Sequence, residues 1–171
     1  SVTGTASANF ASATVGTNKV ITVSGYTAPT SNYSISQPTG LTANITAKSL
    51  TISGLTGVDK VYDGLTTATL SGTPSYTGLV SGESYSVTGT ASANFATATV
   101  GTNKVISVSG YSAPNSNYSI SQPTGLVANI TSKSIAISGI SINNKEYDGN
   151  TVATINGNPT LNGVIAQDVV T

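Results

Sequence analysis

Residues 86–134 write out residues 1–49 a second time. Laid on each other at an offset of 85, the two copies differ at six places: Ser12/Thr97, Thr22/Ser107, Thr27/Ser112, Thr30/Asn115, Thr42/Val127 and Ala47/Ser132. The offset runs without a gap to the last residue, where Thr171 takes the place of Ser86, so the chain is two 85-residue periods plus one residue. A period of that length exceeds one solenoid coil of roughly 20–30 residues and can enclose a small core of its own. The chain opens in mid-repeat without a Met, and the expectation is a segment of a longer polypeptide.

The repeat is poor in charge. Six Lys, no Arg and the acids Asp59, Asp63, Glu83, Glu146, Asp148 and Asp168 balance to zero. Nucleic acid is not expected as a partner, because its recognition needs a basic surface that displaces counterions. Ser, Thr, Asn and Gly fill the polar positions, and Val, Ile, Ala and Tyr most of the apolar ones. This is strand-and-turn composition. There is no Cys, so no disulfide staples a domain, and His, Met and Trp are absent too. No apolar run approaches 18 residues, and no membrane insertion is expected.

Alternation predicts the strands. In Ser86–Phe95, Val87, Ala91, Ala93 and Phe95 share one face, and Thr88, Thr90, Ser92 and Asn94 the other. Phe95 and its twin Phe10 are the expected core aromatics. Gly101-Thr-Asn-Lys104 reads as a turn, after which Ile106 and Val108 face inward. Tyr118–Ile120 is a short strand, and Gln122-Pro-Thr-Gly125 a turn. Leu126, Ala128 and Ile130 then line one face, and beyond Ser134 the apolar set moves to Ile135 and Ile137. That change of parity turns the strand over. The junctions therefore fall near Thr46 and Thr131, giving the closing half of a repeat at 1–46, one complete repeat at 47–131 and an opening half at 132–171. Each junction is short and without Pro or Gly, which predicts stiff end-to-end domains. The halves at the two ends add up to one period, so each is expected to be completed by its complement, in the continuing polypeptide of a long array or in the next subunit of a filament.

At Lys60-Val-Tyr-Asp-Gly64 and Lys145-Glu-Tyr-Asp-Gly149 the chain resembles the YDG-type repeats of filamentous-haemagglutinin-like bacterial adhesins. Asn32-Tyr33 with Gln37-Pro38, Leu41–Thr46, Asn117-Tyr118 and Gln122-Pro123 are similar to that family as well. The resemblance implies long, secreted, surface-attached proteins in which such domains form a stalk, and it carries no catalytic residues.

Lys60, Tyr62, Asp63, Gly64 and their counterparts Lys145, Tyr147, Asp148 and Gly149 are read as a structural motif, with Asp capping backbone N–H groups and Gly at a demanding dihedral. Calcium asks for six to eight oxygens, and the recurring acids offer too few. Without His or Cys only a Lys is available as a base, and the local Ser132-Lys133-Ser134 loses one Ser in its copy Ala47-Lys48-Ser49. A Lys–Asn isopeptide crosslink would need Lys60 or Lys145 buried beside an Asn and a carboxylate. Asn32, Asn44, Asn117 and Asn129 open glycosylation sequons. No enzyme activity and no cofactor are expected. The reading is all-β: tandem immunoglobulin-like sandwich repeats arranged as a rod, with a β-solenoid as the alternative. The function is that of a structural repeat in a bacterial surface filament or adhesin stalk, its partners neighbouring copies of the same repeat. The alternative is an adhesive module for surface glycans.

Overall fold

A computed structural model describes residues 1–170; Thr171, the last residue of the expected opening half at 132–171, lies outside the described residues. The described chain is all-β. Its strands are β1 (Ser7–Phe10), β2 (Gly16–Ser24), β3 (Thr42–Ile45), β4 (Lys48–Val58), β5 (Lys60–Val61) and β6 (Thr69–Thr77), then β7 (Thr88–Phe95), β8 (Gly101–Ser112), β9 (Tyr118–Ser121), β10 (Val127–Thr131), β11 (Ala136–Ile142) and β12 (Ile155–Asn162). They form four sheets, ordered β1-β2-β3, β6-β4-β9, β5-β10-β8-β7 and β11-β12.

The chain divides into two compact units, Ser1–Ser53 with Pro74–Thr90 and Tyr111–Gln122, and Gly54–Thr73 with Ala91–Gly110 and Pro123–Thr171. In the first unit, β1, β2 and β3 form an antiparallel sheet, and Lys48–Thr51 of β4 runs parallel to β9. Its core is Leu50, Ile52, Tyr76 and Tyr118, all buried. The phenol of Tyr76 donates to the Ser112 carbonyl and accepts from Thr88 N–H, so its polar end is satisfied. In the second unit, β10 lies antiparallel to β8 and parallel to β5, and β11 lies antiparallel to β12. Here Ala68, Ala93, Phe95, Ile106, Val108, Ala128 and Ile130 are buried. Ala93 and Phe95, Ile106 and Val108, and Ala128 and Ile130 each stand two apart, as inward-facing strand residues must.

Three details depart from the sequence reading. Gly101–Lys104 is not a turn but the start of β8. Asn103 enters the left-handed region at φ 49° and the register with β10 shifts there, so the chain makes a β-bulge and stays paired. Asn18 repeats this at φ 51°. Second, Ala91 is exposed although it shares the parity of Ala93. Third, Phe95 is 3% exposed but Phe10 is 39% exposed. Thr66 accepts a hydrogen bond from Phe95 N–H, and Lys60 Nζ stands 5.9 Å from its ring centroid. Both neighbours come from the opening half of the same repeat.

Candidate functional site

The recurring motif builds a turn around an ammonium group. Lys60 leaves β5 with its Nζ 2.7 Å from Asp63 Oδ1, 2.7 Å from the Leu65 carbonyl and 3.0 Å from the Thr67 carbonyl. Three donors meet three acceptors, which is all an ammonium can use. Asp63 also accepts from Leu65 N–H at 2.9 Å, closing an Asx-type turn. The Lys60 bond and then the Leu65 N–H hold its carboxyl below the ordinary carboxylate range. The second copy repeats the design. Lys145 Nζ is 2.8 Å from Asp148 Oδ1 and 2.9 Å from the Asn150 carbonyl, and Asp148 is likewise lowered, first by Lys145. Gly64 and Gly149 sit at φ 77° and 76°, a region that L side chains rarely adopt.

Residues 46–125 match the family model of the YDG domain. That stretch is a YDG-type domain. No curated protein and no solved structure matches the chain.

Within the YDG domain, Tyr62 is the residue that reaches outward. Its N–H donates to the Thr131 carbonyl at 2.8 Å, and its phenol donates to Asp168 Oδ1 at 2.7 Å. That carboxylate raises the phenol pKa. Tyr118 does the equivalent in the first unit, where its phenol donates to Glu83 Oε2 and accepts from Val80 N–H at 3.1 Å. Glu83 raises its pKa in turn. Glu83 and Asp168 are the same position of the repeat. Each overlooks a shallow cleft, of about 320 Å³ beside Val15, Lys48, Val80 and Glu83, and of about 250 Å³ beside Val100, Lys133, Ile165 and Asp168. These are equivalent sets, 85 residues apart. Sequence reading paired the acids but missed their phenol partners. The signal was available in Tyr33/Tyr118 and Tyr62/Tyr147, which recur with them.

Two further brackets come in pairs. Lys19 and Lys104 donate to Thr14 and Thr99 carbonyls at 2.5 and 2.6 Å. Gln37 and Gln122 each donate to and accept from the backbone of a tyrosine, Tyr26 and Tyr111, imitating a neighbouring strand.

The sequon asparagines serve backbone geometry. Asn129 Oδ1 accepts from the bulged Asn103 N–H at 2.9 Å, and its Nδ2 donates to Asp59 Oδ2 at 2.8 Å. A sugar at that Nδ2 would replace one of its two hydrogens. The Asn129 N–H and then its side chain lower the Asp59 carboxyl pKa. Asn44 Oδ1 receives the bulged Asn18 N–H at 2.8 Å, and Asn117 Oδ1 receives Val15 N–H at 2.9 Å. Asn32 is exposed and turns back on Thr30. Tyr147 is exposed. Among the described residues no three His, Cys, Asp or Glu side chains lie close enough to share a metal ion. The polar groups are arranged to hold turns, bulges and junctions.

Proposed function

We propose that the chain is a structural repeat segment of a secreted bacterial surface filament or adhesin stalk. It acts as a stiff spacer, built of sandwich-like domains strung along a rod. The observation that carries this reading is where the polar chemistry goes. All three brackets, the Lys–Asp turn, the Lys19/Lys104 staple and the Gln37/Gln122 clamp, recur at an offset of 85 and satisfy backbone groups. A repeat whose charged and amide side chains are occupied in this way holds its shape and does no chemistry. The short links at 46–48 and 131–133 support stiffness, since the Lys48 N–H bonds the Asn117 carbonyl at 3.0 Å and the Thr131 carbonyl accepts from Tyr62. The exposed tyrosines do not favour the glycan-binding alternative. Tyr33 and Tyr147 are exposed while their counterparts Tyr118 and Tyr62 are covered, so no aromatic platform is common to both copies.

A strand of about ten residues spans roughly 33 Å, so each period should advance the rod by about 35–45 Å. Arrays of one to four periods, measured by small-angle scattering, should lengthen in proportion to their number. Growth with the square root of that number, as for a flexible chain, would refute the spacer reading. Labelling of native cells with an antibody should place the protein at the surface; an intracellular signal would refute the filament.

A further inference from the structure

Asparagine followed by glycine is written twice, at 156–157 and 162–163. The earlier copy of the repeat has Ser71-Gly72 and Thr77-Gly78 in those places, so the glycines recur and the asparagines do not. The fold explains the first glycine. Gly157 sits at φ 95° opposite Ile140, at the register shift of β11 and β12, and a Cβ on it would fall 2.3 Å from the Gly139 carbonyl oxygen. Gly72 repeats this at φ 96°, with the Gly54 oxygen at 2.1 Å. The same fold does not ask for an asparagine in front of it, since Ser71 fills that place in β6 and bonds Thr56 Oγ1 at 2.7 Å.

The Asn156 carboxamide is turned back on its own chain. Gly157 N–H donates to Asn156 Oδ1 at 2.9 Å, which holds the backbone nitrogen against the side-chain carbonyl, one bond from Cγ. Nitrogen and Cγ are the atoms that must meet for the chain to close on itself, and a glycine nitrogen has no side chain beside it as a shield. Asn156 and Gly157 are exposed, as Ser71 and Gly72 are in the complete repeat, so water reaches both. Asn162 is arranged differently, because its Nδ2 donates to Ser138 Oγ at 2.8 Å and ties the carboxamide to the neighbouring strand. The Asp-Gly pairs at 63–64 and 148–149 differ too. Each acid is a carboxylate bound by a lysine, and an ionised carboxylate is a poor electrophile.

We propose that Asn156 is a site of spontaneous modification, at which the chain converts its own carboxamide into a carboxylate. Gly157 N gives its proton to hydroxide and attacks Asn156 Cγ. The N–Cγ bond forms, the Cγ–Nδ2 bond breaks, and Nδ2 takes a proton from water and leaves as ammonia. Water then opens the cyclic imide at either carbonyl, which yields aspartate or, with an extra carbon in the main chain, isoaspartate. Each event takes the net charge from zero to minus one. The extra main-chain carbon cannot keep the register Ser141↔Asn156 and Ile140↔Gly157. β12 corresponds to β6, the outer strand of its sheet, and a charge on an outer strand opposes pairing with further strands. With age the repeat thus acquires an anionic edge. Only Asn156, Gly157 and water take part, so the step is independent of the spacer role.

The 171-residue chain should be held in mildly alkaline buffer and sampled over days. Cleavage after Lys145 gives the peptide 146–171, and its fragmentation by mass spectrometry assigns the change to one asparagine or the other. In the folded chain Asn156 should convert at least about tenfold faster than Asn162, with one ammonia and one added negative charge on anion exchange per event. An isoaspartyl methyltransferase should label the product, and the amides of Ile142 and Ile155 should exchange faster in it. In denaturant the two asparagines should convert at similar rates, because both precede glycine and neither is held. Asn156→Ser, which installs the residue of the earlier copy, should abolish the early acidic species, and Asn162→Thr should leave it. An Asn156 that stays an amide in the folded chain overturns the proposal. So do equal rates at the two sites, or a difference that persists in denaturant.

Discussion

Truncating the two equivalent phenylalanines separates what the repeat encodes from what packing adds. Phe95 is 3% exposed, with its N–H on the Thr66 carbonyl and Lys60 Nζ 5.9 Å from its ring centroid, and Phe95→Ala should cost about 3–5 kcal/mol, with a cavity left behind. Phe10 is 39% exposed. A phenylalanine buries on the order of 150 Å² when covered. The extra third that Phe10 leaves in water therefore removes about 1.3 kcal/mol of transfer energy at 25 cal/mol per Å². Its open side also leaves no sealed cavity, so the cavity cost lapses too. Phe10→Ala should then cost about 1–2 kcal/mol. Because both sites lie in one chain, native-state hydrogen exchange is the suitable assay. Ile106 and Val108 amides in β8 report the first substitution, and Ile21 and Val23 amides in β2 report the second. Equal losses would show that the opening half contributes nothing to the environment of Phe95.

Thr90→Ala, on the solvent side of β7, should stay within about 1 kcal/mol in chemical denaturation, and a larger loss would mean that this face packs. Gly64→Ala and Gly149→Ala share a left-handed backbone, which costs roughly 1–2 kcal/mol in each. Only at Gly64 would the new Cβ fall 1.9 Å from Gln167 Nε2, so thermal melts should show the greater loss there. Asp59, Asp63 and Asp148 have lowered pKa values, hence each binds its proton more tightly when unfolded. Stability should hold above the ordinary carboxylate pKa of about 4 and fall as pH drops through the lower folded values. Asp63→Asn should flatten part of that acid limb, and an unchanged limb would remove Asp63 from the account. Tyr62 and Tyr118 have raised values, so stability should decline as pH rises above about 10, less so in Tyr62→Phe. A polypeptide of residues 47–131 should unfold in one cooperative transition, because it holds one full period; a gradual, non-cooperative melt would refute the domain frame.

The sequence by itself determined what depends on near neighbours. Alternation placed Ala93 with Phe95, Ile106 with Val108 and Ala128 with Ile130, and each pair lines the core. The Lys-x-x-Asp-Gly turn closes within a few residues, so Gly64 and Gly149 adopt φ 77° and 76° although one is packed and the other open. The tertiary structure alone decided what depends on a partner. The bulge at Asn103 looked like a turn until β10 was beside it. Asp59 has Asn129, and Tyr62 has Asp168, across 70 and 106 residues of chain, distances over which no local pattern acts. The plainest case is Tyr-Ser-Ile-Ser, a strand at 118–121 and no strand at 33–36. A strand's hydrogen bonds are made to another segment, and four identical residues cannot carry that segment with them.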